Sequence, residues 1–83
     1  MKNIIGEKIR QARKERRITQ AVLAAKLQLL GIMIDRTAIA KLESGRRPVT
    51  DIEIAGISKV LEVDILSMFE GTDSILGNLN QDK

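Results

Sequence analysis

An all-α domain, five short helices packed as an orthogonal bundle, is what the 83 residues predict. Three observations carry that prediction. Apolar residues recur at the three- and four-residue spacing of one helix face. Capping residues and glycines punctuate the chain at short intervals. No segment alternates polar and apolar residues in the manner of a half-buried strand.

Ile5, Ile9 and Ala12 fall on one stripe, with Glu7, Lys8, Arg10, Lys14, Glu15 and Arg17 elsewhere, so a first helix is expected from Ile4 to Arg16. Thr19 is a good N-cap for a second helix, "TQAVLAAKLQLL", whose inner edge is Leu23, Leu27 and Leu30 and whose stop is Gly31. Asp35 caps a third helix that Gly45 ends. Thr50 opens a fourth with a capping box, because Glu53 lies three residues on. Ile54, Ile57 and Leu61 are its buried stripe, widened by Ile52 and Val60. Asp64 caps a short fifth helix, "ILSMFE", closed by Gly71. Residues 1–71 therefore form the domain, and residues 72–83 read as a polar tail carrying Ile75, Leu76 and Leu79.

The composition removes several function classes. The chain has no cysteine, hence no disulfide and no thiolate metal site. It has no histidine, the usual general base and metal ligand. No acidic cluster suggests carboxylate chemistry, so catalytic, metal and cofactor sites are all expected to be absent. The longest apolar stretch, Ala21 to Ile34, is interrupted by Lys26, Gln28 and Gly31 and does not suit a bilayer. The opening "MKNIIGEKIR" lacks the apolar centre of a leader. A cytoplasmic protein is the plain expectation. A chain this short leaves no room for a sensor domain, so no small-molecule ligand is expected either.

The net charge of +3 conceals an asymmetry. Residues 1–47 hold 12 Lys/Arg against 4 Asp/Glu, whereas residues 48–83 hold 2 against 7. One half attracts a polyanion and the other does not. Basic residues often do no more than solvate a surface, but so lopsided a block raises the standing of a nucleic-acid face.

The third helix carries the sharpest signal. On a wheel of about 100° per residue, Ala38, Ile39, Leu42 and Glu43 share one arc, and Arg36, Thr37, Ala40 and Lys41 share the other. Ile39 and Leu42 anchor the helix to the core. Ala40 keeps the opposite face thin enough for the backbone to approach a groove. Arginine is the best bidentate reader of guanine, and threonine bonds a base edge or touches a thymine methyl. Ordinary solvated residues on a surface helix would produce the same short pattern, so the neighbourhood has to decide.

That neighbourhood is "ITQAVLAAKL" followed by "IDRTAIAKLESGRR". The pair resembles the helix-turn-helix of the phage-repressor-like family, the Cro/XRE type. Thr19, Gln20, Leu23, Ala24 and Leu27 carry the resemblance in one helix, and Ile39, Leu42, Glu43 and Gly45 in the next. It spans about Ile5 to Phe69 and implies a lambda-repressor-like fold whose second paired helix enters the major groove. By the resemblance, Asp35, Arg36, Thr37 and Lys41 occupy positions that meet base edges or nearby phosphates. Gln20, Arg46 and Arg47 are expected at phosphates, with Arg10 and Arg17 on the flank. Arg13 and Glu43 match positions that form a partly buried ion pair, and so are read as structural.

Two departures stand out. Leu27 to Ile39 spans twelve steps, longer than is usual in the family, so "QLLGIM" is read as an extra turn and a longer connection. This connection adds either a loop contact to DNA or an apolar surface of Leu29, Ile32 and Met33. Asp35 stands where a small hydroxyl or amide residue is common. It either caps the helix or accepts from cytosine N4, and its repulsion of a close phosphate favours the cap.

The leading expectation is a sequence-specific regulator of transcription on double-stranded DNA, a repressor-type or controller protein acting as a homodimer. Ile65, Leu66, Met68, Phe69, Ile75, Leu76 and Leu79 are the residues expected at the dimer surface, unless Leu66 and Phe69 close the monomer's own core. The competing expectation is a protein-interaction module, antitoxin-like or polymerase-docking, that uses the acidic half. Single-stranded nucleic acid is a poor third, because Phe69 is the only aromatic residue and no stacking platform exists.

Overall fold

The computed structural model describes the backbone of residues 1–81 and the side chains of residues 1–77. All regular structure among them is helical: α1 Gly6–Glu15, α2 Gln20–Leu29, α3 Arg36–Glu43, α4 Asp51–Leu61, a 3-10 helix Ile65–Phe69 and α5 Asp73–Gln81. No helix among the described residues is long and apolar enough to cross a membrane.

The helix starts follow the expected capping chemistry. Thr19 Oγ1 accepts from the Val22 N–H at 3.1 Å, and Asp35 Oδ1 accepts from the Ala38 N–H at 2.8 Å. The capping box of α4 is complete: Thr50 Oγ1 accepts from the Glu53 N–H, and Glu53 Oε1 accepts from the Thr50 N–H. Helix α3 ends in a Schellman turn. The Gly45 N–H reaches the Leu42 carbonyl and the Arg46 N–H reaches the Lys41 carbonyl, with Gly45 at φ +77°. A left-handed residue is required there, and glycine adopts it without a Cβ penalty.

Ile9, Leu23, Leu27, Ile39, Leu42, Ile57 and Leu61 are fully buried, with Ile5, Ala24, Ile34 and Met68 completing the core. Each large side chain among them contributes about 1.5–3 kcal/mol of transfer free energy. Ala24 is buried with Leu23 and Leu27 on α2, the helix that packs against both α3 and α4.

Several expectations need correction. The first helix begins at Gly6 rather than Ile4. Leu30 is not on the inner edge: α2 ends at Leu29, the chain turns left-handed at Gly31, and Leu30 is left 43% exposed. Ile34 and Ile32 take over that part of the core, Ile34 fully buried and Ile32 laid over Gly56 of α4. Ile52 does not widen the α4 stripe. It lies well off the Ile57–Leu61 line and is 66% exposed. The fifth expected helix is a 3-10 helix, and the Asp64 side chain makes no capping bond to it. The segment expected as a tail carries α5, with Thr72 buried at its start and donating from Oγ1 to the Phe69 carbonyl at 2.7 Å.

Candidate nucleic-acid interface

Helix α3 turns Ile39, Leu42 and Glu43 inward and leaves Arg36, Thr37 and Lys41 exposed. The split agrees with the wheel. Ala38 and Ala40 are half-buried between the two faces. Among the described residues, no hydrogen bond or ion pair ties down the side chains of Arg36, Thr37 or Lys41.

The buried polar group on α3 is Glu43. Arg13 of α1 grips it with two parallel bonds, Nε to Oε2 at 2.7 Å and Nη2 to Oε1 at 3.0 Å. Arg13 Nη1 also donates to the Ile18 carbonyl at 2.9 Å. Gln20 Nε2 adds a third donor to Glu43, at 3.1 Å from Oε1. Three helices thus meet on one carboxylate, and this fixes the rotation of α3 about its axis. The ion pair expected between Arg13 and Glu43 is present.

The other expected residues divide. Arg17 lies in the turn after α1, in the left-handed region at φ +58°, and lines one open concavity with Arg36, Thr19 and Gln20. Arg10 lines a second with Ala40, Ser44 and Gln20. Both arginines are exposed and without a side-chain partner among the described residues. Arg46 is exposed and donates from Nε to Ser44 Oγ at 3.0 Å. A third concavity brings Thr37, Lys41 and Arg46 together with Asp35. Arg10, Arg17, Arg36, Lys41 and Arg46 thus line three concavities that border α3, a broken cationic rim.

Three expected contacts are otherwise engaged. The Gln20 amide nitrogen is held by Glu43. Arg47 makes a bidentate pair with Glu53, Nη1 to Oε1 and Nη2 to Oε2, both at 2.8 Å, and also donates to the Pro48 carbonyl. That pair, assisted by the Thr50 bonds, holds the Glu53 carboxyl below the ordinary carboxylate range, although burial opposes the shift. Asp35 accepts its cap bond from Ala38.

At the far end of the chain, Leu66 is 75% exposed, and Ile65, Phe69 and Leu76 are exposed to smaller degrees. Ile75 is half-buried. Met68, expected at the same surface, is only 3% exposed. This corrects the expectation: the 3-10 helix aims the flexible thioether into the gap left between α1 and α4, and Leu66 and Phe69 do not close the core. The Leu79 side chain lies outside the described residues.

Two residues that the sequence did not single out complete the site. Asn3 uses its whole side-chain amide to join the start of α1 to the end of α3. Gly6 sits so close to α3 that an added Cβ would collide with the Leu42 carbonyl and lie 2.9 Å from the Glu43 carbonyl. An asparagine three residues ahead of a glycine at a helix start is the only local signal of either role.

A family model described as Helix-turn-helix, of the Cro/C1 type, matches residues 9–67. No curated protein and no solved structure matches the chain.

Proposed function

Since the chain belongs to the Cro/C1-type helix-turn-helix family, a DNA-binding family, we propose that it is a sequence-specific regulator that reads the major groove of double-stranded DNA with α3. The observation that carries the proposal is the orientation of α3. Its apolar edge and Glu43 are buried, and its Arg36–Thr37–Lys41 edge is open to solvent inside a cationic rim. Arg36 and Thr37 read base edges, with Lys41 at a base or an adjacent phosphate. Arg46, Arg10 and Arg17 neutralise backbone phosphates on either side. Asp35 caps α3 and orients its first turn. Arg47 supports the rim by tying the turn after α3 to the first turn of α4, and Gln20 by bonding Glu43.

Two copies bind a palindromic site, with half-sites about 34 Å apart. The apolar surface left by Ile65, Leu66, Phe69 and Leu76 supports a symmetric contact between the two. On this reading the protein acts as a repressor or controller in the cytoplasm.

The test is binding to random duplex DNA across a range of salt. Phosphate neutralisation predicts a steep, nearly linear fall of log K with log salt, at roughly 0.9 per phosphate contacted. A flat response would overturn the proposal and favour a protein-docking module. Selection of bound sites from a random library then reports specificity, palindromy and spacing together.

A further inference from the structure

The eight residues ahead of the family match hold a fixture of their own. Asn3 Nδ2 donates to the Leu42 carbonyl at 2.9 Å and to the Arg47 carbonyl at 2.7 Å. Asn3 Oδ1 accepts from the N–H groups of Ile5 at 3.1 Å and Gly6 at 2.7 Å. One residue earlier, the Lys2 N–H donates to the Gly45 carbonyl at 2.7 Å. Three hydrogen bonds, one from the Lys2 backbone and two from the Asn3 side chain, therefore pin residues 2 and 3 onto the turn that ends α3, and two more cap α1 from the Asn3 side chain. The absent Cβ of Gly6 lets the two helix ends close to that distance.

This fixture has an electrostatic consequence. Lys2 is exposed and lines the concavity shared by Thr37, Lys41 and Arg46. Arg47 and Glu53 neutralise one another at its edge, which leaves Lys2, Lys41 and Arg46 facing Asp35 alone. A lysine on a loose chain end loses backbone entropy when it binds. Here folding has already ordered that backbone, so the ammonium is delivered to the rim with only side-chain freedom left to lose.

We propose that Lys2 is a further phosphate contact of the DNA interface, and that Asn3 is the positioning residue that holds it there. The proposal rests on α3 being the DNA-reading helix. It extends the interface to a segment that the family match does not include.

The experiment measures binding to a random duplex against salt, alongside thermal melting, for the full chain and five variants, one of them the Lys2→Ala, Asn3→Ala double substitution. Lys2→Ala is expected to melt like the unaltered protein and to lower the log K–log salt slope by about one, as Arg46→Ala does. Lys59→Ala, on the exposed side of α4 and outside that concavity, is expected to leave the slope unchanged. Once Asn3 is replaced by Ala, removing Lys2 should change the slope by much less than one, because its ammonium is no longer held in place. If Asn3→Ala does not fold, Asn3→Ser, which keeps an oxygen to cap α1, takes its place. A Lys2→Ala slope equal to that of the unaltered protein, with Arg46→Ala reduced, overturns the role of Lys2 and leaves the DNA reading standing. An undiminished Lys2 contribution in the Asn3 background overturns the positioning role. A flat response from the unaltered protein removes both proposals together.

Discussion

Arg36 and Arg46 carry the same charge but have different roles in the proposed interface, and the difference is measurable. Arg36 stands on the outward edge of α3 with no side-chain partner among the described residues, and the proposed reading gives its planar fork guanine O6 and N7 as partners. Arg46 lies beyond the Schellman turn, tethered lightly to Ser44. Arg36→Ala is expected to cost about 1–3 kcal/mol on the cognate site and to relax preference at one position. Arg46→Ala is expected to weaken all duplexes alike and to lower the salt slope by about one. Competition binding with single-base operator variants separates the two, and identical behaviour would mean that Arg36 does not read a base. That this region is cationic was legible in the sequence. Which charges are not free was less so: Arg47 and Gln20 share the composition of a phosphate contact, yet Glu53 and Glu43 hold them, and those partners lie 6 and 23 residues away.

At the scale of the element, α3 is held at both ends. Its first turn is capped by Asp35, and its last turn packs on the start of α1. Gly6→Ala would push a Cβ against two backbone carbonyls, which cannot swing aside as a side chain can. A loss of about 1–3 kcal/mol in urea unfolding is expected, towards the upper end of the range for overpacking. Gly56→Ala also meets a close atom, but that atom is the Cδ1 end of Ile32, so the smaller loss is expected there. Helix α4 contributes a pH dependence. Arg47 and the capping box hold Glu53 below the ordinary value of 4.5. Its contribution to stability is therefore complete above that value and is lost as pH falls below it through the folded-state value. Urea unfolding between pH 6 and pH 3 should show this loss, and Glu53→Gln should remove that part of the pH dependence. The capping boxes and stops were readable because they depend on residues three or four apart. The approach of α1 to α3 was not, because Asn3 and Leu42 are brought together only by folding.

For the whole molecule, the cationic and apolar surfaces lie on different elements. The rim borders α3, and the exposed Ile65, Leu66 and Phe69 belong to the 3-10 helix that follows α4. Leu66→Lys is expected to shift a monomer–dimer equilibrium towards monomer in sedimentation while melting stays nearly unchanged at low concentration. Met68→Ala should instead cost about 2–5 kcal/mol of stability, because it empties a filled core position. Equal effects of the two on association would contradict the division between them. Both residues belong to one short apolar run, "ILSMF", whose inward and outward members the sequence did not distinguish. A 3-10 turn has a different period from an α-helix, so a wheel drawn at 3.6 residues per turn misassigns its faces.

The amino-acid order alone determined the all-helical architecture, the caps of α2, α3 and α4 and the outward edge of α3, since each follows from spacing within a few residues and from the cost of burying charge. The folded chain decided which arginines remain unpaired, that Met68 closes the core, and that Asn3 fastens the first residues beside α3. Those outcomes depend on partners distant along the chain, and only close packing establishes which of them meet.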